Sequence, residues 1–275
     1  MKITIITVCY NAQELIEKTI NSVTMQTYKN TEYIIIDGAS SDSTINILEK
    51  QKQNIDILVS EPDTGIYNAM NKAIKLSKGD FLIFLNAGDT FYSENTLESV
   101  IPYLKKSKAK LFFGDINVME ANGKSWVKSF ANTDKITLAS NCLCHQAVFY
   151  NKKLFEKFEG YDENYKISAD HDFNLKAIIK HKYKAKYIPV IISNFQMGGF
   201  STNRDNIKNT VKEINKIALN YYGKTKLKYF NFILSILRNM SDRKRKITAR
   251  KIIARLLSLS IWLNIMQFFN LKRGK

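Results

Sequence analysis

Only three prolines, three cysteines and three histidines occur in the 275 residues. So few prolines, with eleven glycines, exclude a fibrous or disordered chain. Cys9, Cys142 and Cys144 are odd in number and show no paired framework, which suits a reducing compartment. CxxC and HExxH spacings are absent, so a structural zinc site is not expected. Neither GxGxxG nor GxxxxGK is present, which removes the glycine-rich phosphate cradles of dinucleotide and P-loop proteins. The opening "MKITIITVCYNAQ" has one lysine and a short β-branched run; it reads as a strand of a cytoplasmic protein rather than a secretory leader.

Acidic residues are scarce in one place only. From Lys224 to Lys275 fourteen Lys/Arg face a single acid, Asp242, which accounts for thirteen of the net +17. The preceding chain is close to neutral, so whatever the positive charge binds, the tail binds it. The tail has two textures: an apolar helical stripe with the basic "DRKRKITARKIIAR", then sixteen uncharged residues from Leu256 to Leu271. A spanning helix needs about 18–20 such residues, so an interfacial helix or hairpin on an anionic membrane surface fits better. The aromatic-ended stretch has no use in binding nucleic acid, so that partner is not expected. The boundary falls at Gly223, giving a domain of residues 1–222 (halves 1–90 and 91–222) and a membrane-associating tail of residues 223–275.

The first half alternates apolar runs with helical patterns. "ITIITV", "EYIIID", "DILVS" and "FLIFL" are strands, with helices at residues 14–23, after "SSDS", and across "GIYNAMNKAIKLSKG", where Gly79 is a plausible C-cap. Continuous apolar strands joined through helices predict an α/β fold with a mostly parallel sheet covered on both faces. Beyond Asp89 the pattern becomes a strand and hairpin turned at Ala121-Asn122-Gly123, a helix at "NKKLFEKF", a helix at "ADHDFNLKAIIKH", a strand at "AKYIPVIIS" and a helix from Asp205 to Tyr222.

Ligands of open parallel sheets bind at the carboxyl ends of the strands. There the sequence places Thr7, Tyr10 and Asn11; Asp37 to Asp42; Asp63; and Asn86 and Asp89. Acids converging on one rim repel unless a cation or ligand donors sit among them. Asp89, set at the tip of a core strand, is therefore expected to hold a metal-bound anion, a diphosphate, through hard oxygen ligation.

These residues carry a resemblance. "TVCYNA…LIEKTINSVTMQTYKNTEYIIIDGASSDST", "EPDTGIYNAMNKAIKLSKGDFLIFLNAGD", "CHQAVFY" and "SADHDF" occur in the order typical of glycosyltransferase family two, the inverting group with the GT-A (Rossmann-like) fold. The chain resembles the bacterial members that build surface-polysaccharide repeat units. The resemblance implies transfer of a sugar from a nucleotide-diphosphate sugar, a UDP-sugar, to a lipid-linked saccharide acceptor, with Mn2+ or Mg2+ as cofactor, at the inner face of the cell membrane. It puts Thr7, Tyr10, Asn11, Asp37, Asp63, Asn71, Lys72 and Asn86 with the nucleotide-sugar, and Asp89 on the metal. His145, Gln146 and Asp172 fall to the acceptor or diphosphate, and Asp170 is the general base. The metal motif is reduced to Asn86-Ala87-Gly88-Asp89, and Met70 replaces an arginine common near the diphosphate, leaving Lys72 or a tail residue as substitutes.

The residues alone leave alternatives open. Asp170 stands at a helix start and could be only a cap. Asp172, two residues on and about 200° round the helix, cannot face the same cleft. A nucleotidyltransferase also uses a parallel sheet and metal-bound carboxylates, but would want a glycine-rich basic loop after the first strand. A non-catalytic membrane or nucleic-acid binder is the remaining reading.

Overall fold

Seven consecutive buried residues make the first strand, β1 (Ile3–Cys9). It pairs in parallel with β2 (Thr31–Asp37) on one side and β4 (Phe81–Phe84) on the other, and β2 pairs in parallel with β3 (Ile57–Ser60). Parallel neighbours need crossovers, here α1 (Ile16–Thr24), α2 (Thr44–Lys50) and α3 (Ile66–Leu76), as the periodicity predicts. The computed structural model describes residues 1–238 apart from 121, 132, 134–136, 140, 141 and 201–203, with side chains of the last helix described for 205–227.

Beyond β4 come β5 (Thr90–Phe91), α4 (Thr96–Lys105), β6 (Leu111–Met119), β7 (Ser125–Lys128), β8 (Val148–Asn151), α5 (Lys152–Phe158), α6 (Ala169–Leu175), β9 (Ala185–Gln196) and α7 (Arg204–Arg238). One sheet runs β3-β2-β1-β4-β8-β6-β9-β5, with β7 paired to β6. β8 lies antiparallel to β4 and β6, and β5 antiparallel to β9. The sheet is therefore mostly parallel, but its second half is not wound in sequence order. The hairpin predicted at residues 121–123 joins β6 to β7 through Gly123, at φ 83°; Ala121 lies outside the described residues.

β9 crosses the sheet interior with a proline, Pro189, inside it. Its register with β6 jumps between Phe113↔Tyr187 and Asp115↔Ile191. A bulge is where a strand tolerates a residue without an N–H. Gly114 makes room for it, since a Cβ there would stand 2.5 Å from the Val190 carbonyl oxygen.

Gly79 is not the C-cap expected for α3. That helix ends at Leu76 with Ser77 as its cap residue. Gly79 instead passes close to β1: its N–H donates to Thr4 Oγ1 at 2.9 Å, and a Cβ would stand 2.6 Å from the Thr4 nitrogen.

An aromatic cluster fixes the helix that carries the candidate base. Phe173 of α6 stacks on Phe155 of α5 at 4.4 Å and meets Tyr150 of β8 edge-on at 5.6 Å. Phe84 of β4 meets both Tyr150 and Phe155 edge-on, and all four rings are fully buried. Burying rings of this size dominates local packing energy.

Two compact units are distinguished. The first comprises Met1–Ala131 and Cys142–Ile217, and the second Asn132–Asn141 and the chain from Ala218 on. Helical backbone values are lost at Gly223, at φ 74° and ψ 160°. The uncharged stretch read from Leu256 to Leu271 lies outside the described residues. Among the described residues, no helix is long and apolar enough to cross a membrane.

Candidate active site

The turn that ends β4 carries Asn86, Gly88 and Asp89. Gly88 adopts φ 102°, a conformation that favours glycine, and its N–H donates to Thr19 Oγ1 at 3.0 Å. The same hydroxyl donates to the Asp89 carbonyl at 2.8 Å, so Thr19 of α1 clasps the turn. The Asp89 side chain is 8% exposed and has two long hydrogen bonds, from Gln146 Nε2 at 3.4 Å and the Gln196 N–H at 3.3 Å. Burial pushes its carboxyl up to about 7, against the nearby positive charge of His145.

His145 joins this turn to α6. Its Nδ1 lies 3.3 Å from Asp170 Oδ2, and its Nε2 lies 3.1 Å from Asn86 Nδ2. When neutral, the ring donates Nδ1–H to the carboxylate and accepts from the amide at Nε2; when protonated, it supplies the positive charge felt by Asp170 and Asp89. Burial lowers the imidazole pKa, but the hydrogen bond and charge of Asp170, with Asp89 beyond, leave it above its ordinary value. The Asn86 Oδ1 atom is buried and has no hydrogen-bond partner.

Asp170 is 5% exposed and held on several sides. Tyr67 of α3 donates through its hydroxyl to Asp170 Oδ1 at 3.1 Å and to the Ile167 carbonyl at 2.7 Å. The His171 N–H reaches Oδ1 at 2.9 Å, and the Cys142 thiol reaches Oδ2 at 3.6 Å. Burial alone would raise this carboxyl, but the hydrogen bond and charge of His145 keep it below the usual carboxylate range. Asp170 is therefore ionised and oriented, as a general base must be, although a lowered pKa makes it a weaker proton acceptor than a carboxylate tuned near neutrality. The Cys142 thiol is pushed well up by burial and by Asp170, so it remains a thiol.

At the other end of the rim, Gly38 lies between Tyr10 and Asp63. A Cβ there would stand 2.5 Å from Asp63 Oδ2 and 3.4 Å from Tyr10 Cδ2. Tyr10 is 63% exposed, free to offer a ring face. Asn11, at φ 48°, accepts from the Ser41 N–H through Oδ1, and its own N–H donates to Ser40 Oγ, tying the loop after β1 to the loop after β2.

Several expected ligand residues have their side chains engaged by partners within the chain. Thr7 is fully buried and donates to the Leu85 carbonyl at 2.6 Å, so its side chain is not on the rim. Asp37 is fully buried; it accepts from the Ser40 N–H at 3.0 Å and hydroxyl at 2.5 Å, and from Ser60 Oγ at 2.7 Å. Asn71 is spent on the backbone of Tyr161, in both directions, and on Glu163. Lys72 pairs with Glu61 at 2.7 Å and donates to the Pro62 carbonyl at 2.8 Å, and Met70 is fully buried. Asp172 diverges from Asp170, as helical geometry requires, and lines a separate cavity of about 220 Å³ with Phe158, Gly160, Tyr161 and Lys176.

The rim acids do not depend on a shared cation to relieve their repulsion. Asp37, Asp42 and Asp63 each find N–H or hydroxyl donors at short range, and only Asp89 is left weakly satisfied. Among the described residues no three His, Cys, Asp or Glu side chains converge as a metal site. What the sequence reading missed is the support: Thr19, Tyr67 as the hydroxyl on Asp170, and Gln196. The only signal for Tyr67 is its place in "GIYNAMN".

Known proteins resemble this chain in sequence and in fold. The model of the family described as "Glycosyl transferase family 2" matches residues 4–174. A PGL/p-HBAD biosynthesis glycosyltransferase of Mycobacterium bovis (strain BCG / Pasteur 1173P2) is 30% identical over 196 residues, covering 70% of this chain and 75% of that one. The Escherichia coli UDP-Glc:alpha-D-GlcNAc-diphosphoundecaprenol beta-1,3-glucosyltransferase WfgD is 35% identical over 144 residues, covering 51% and 56%. Among solved structures, S. aureus TarS 1–349 in complex with UDP-GlcNAc superposes with a TM-score of 0.64 at 18% identity, over 85% of this chain and 70% of that chain. Mannosyltransferase PcManGT from Pyrobaculum calidifontis, in complex with GDP-Man and Mn2+, gives 0.59 at 15% identity, over 94% and 80%. At such identities the likeness is one of fold, GT-A-like.

Proposed function

Because the chain belongs to glycosyl transferase family 2, we propose that it moves a sugar, with inversion, from a nucleotide-diphosphate sugar to a hydroxyl of a lipid-linked saccharide during bacterial surface-polysaccharide synthesis. The observation that carries this reading is Asp170, ionised, buried and held by Tyr67 and His145 on the side of the site that also bears Asp89. Inverting transfer needs one base that takes the acceptor proton as the hydroxyl attacks the anomeric carbon opposite the leaving diphosphate. Asp170 fills that role. His145 fixes the direction of its lone pairs through Oδ2, and Tyr67 fixes it through Oδ1.

The donor is a UDP-sugar. Tyr10 stacks on the base beside Gly38, and Asp63 and Asn11 edge the ribose pocket. The names of WfgD and of the TarS complexes support this donor, and WfgD supports a lipid-diphosphate acceptor. Gln146 stands beside Asp89, where the diphosphate would lie.

Asp89 and Asn86 fit a divalent cation: one carboxylate barely satisfied and one buried amide oxygen with no partner are both hard oxygen donors. Mn2+ or Mg2+ held there would neutralise the leaving diphosphate, its remaining ligands coming from diphosphate and water. The basic tail of residues 223–275 keeps the enzyme peripheral at the inner face of the membrane, where such acceptors are confined.

The test is Asp170→Asn with UDP-, GDP- and dTDP-sugars and an extracted lipid-linked acceptor. Transfer is expected to fall by at least about 10²-fold, while donor binding measured by calorimetry stays within twofold. Wild-type turnover in that variant removes Asp170 from the mechanism.

A further inference from the structure

The segment before α6 carries the base into place, and its fastening comes partly from far along the chain. Three consecutive N–H groups, those of Lys166, Ile167 and Ser168, converge on the carboxylate of Glu213 in α7. Lys166 donates to Oε1 at 2.8 Å, while Ile167 and Ser168 donate to Oε2 at 3.0 and 2.9 Å. Ser168 is the N-cap residue of α6, yet its own side chain makes no capping bond. The first N–H groups of a helix need external acceptors, and successive N–H groups turned to one side form a nest for an anion. Here the anion is supplied by another helix.

This fastening is two contacts from the base. The Ile167 carbonyl, whose own N–H is held by Glu213, accepts the Tyr67 hydroxyl, which also donates to Asp170 Oδ1. Asp170 itself follows Ser168 by two residues. On the other side the same segment is tied to α3: Asn68 Nδ2 donates to Glu163 Oε2 at 3.0 Å and Asn71 Nδ2 to Glu163 Oε1 at 2.8 Å. The base is thus stretched between two anchors, one on the helix beside the nucleotide loops and one on α7.

We propose that Glu213 is a positioning residue for the transfer reaction: its carboxylate, by gathering the three N–H groups of residues 166–168, sets the orientation of Asp170 toward the acceptor hydroxyl. This rests on the base assignment made above. A base displaced by about 1 Å loses on the order of 10² in rate, and both Glu213 carboxylate oxygens are engaged by backbone N–H groups, so the loss is expected to fall on kcat.

Four variants and one double variant decide it. Glu213→Ala should lower kcat by about 10- to 100-fold and leave the donor KM and calorimetric donor affinity within about twofold. Glu213→Asp, which keeps the charge, should retain more rate than Glu213→Gln, whose amide turns an NH2 toward the donors. Lys216→Ala, which removes a ring contact from the same helix to Tyr165, should stay within about twofold of wild type. In the Asp170→Asn background, where the base is gone, Glu213→Ala should change the residual rate by less than about twofold, because coupled residues do not add. An unaffected kcat in Glu213→Ala overturns the proposal, as does an equal loss in both backgrounds or a parallel loss of donor affinity. Wild-type activity in Asp170→Asn alone would instead overturn the base assignment; a dead Asp170→Asn with a fully active Glu213→Ala overturns only the role of Glu213.

Discussion

Asp89 is a carboxylate kept almost dry with too few partners, and its proton uptake should be visible in stability. Its pKa near 7 lies above the ordinary range, so between about pH 4 and 7 the folded chain holds a proton that the unfolded chain has released. Stability should therefore fall as pH climbs through that window and level off above it. Asp89→Asn, which cannot ionise, should flatten the profile, read as the difference in Tm between pH 5 and pH 8. Added Mn2+ should raise the wild-type Tm more at pH 8 than at pH 5 and leave Asp89→Asn unmoved. Equal Mn2+ shifts in both proteins would mean that the cation binds elsewhere. Asp37 is the counterexample at the same scale: the sequence places a strand-end acid there with equal clarity, but Ser40 and Ser60 already surround it. Whether a carboxylate is satisfied depends on neighbours 23 residues away at Asp37 and 107 residues away at Asp89, and no local pattern encodes them.

The bulge between β6 and β9 tolerates little change at Gly114. A methyl group on residue 114 would meet the Val190 carbonyl oxygen at 2.5 Å and Ile192 Cγ1 at 2.6 Å, backbone and core side chain that have no free space to move into. Gly114→Ala should cost about 1–3 kcal/mol, measured as a lowered urea midpoint with unchanged slope; an unaltered midpoint would show that β9 slides to accommodate it. Elements of this kind also mark where sequence reading stops. β1, β2 and β4 are legible because each apolar run is buried on both faces, half-exposed β3 at the sheet edge because it is still a short apolar run, and the crossovers because they keep helical spacing. The placement of β8 between β4 and β6, and of β9 beside β6, is not, since it depends on pairings of strands distant in sequence. Two-residue β5 is too short to carry any period. In the site, Asp170 and His145 stand out by their motifs and Asp172 by its helical offset from Asp170, whereas the pairing of Lys72 with Glu61, eleven residues before it, carries no local signal.

For the whole molecule, charge is unevenly placed along the chain. Thirteen of the seventeen net positive charges follow Gly223. Each Lys or Arg near an anionic leaflet contributes about 1 kcal/mol, so half of the fourteen would hold the enzyme to a membrane. Deleting the residues after Gly223 should move the protein from the membrane pellet to the supernatant on fractionation while leaving UDP-sugar binding intact; a truncated form that stays in the pellet would refute the role given to the tail. The strand order has a consequence for how the chain is made. β9 lies inside the sheet, between β6 and β5, yet it is synthesised only after α6 and ends at Gln196, whose N–H reaches Asp89. Until the ribosome has delivered that strand, the nascent polypeptide displays an unpaired β6 border, an invitation to cross-chain pairing, and the pocket around Asp89 is left one wall short.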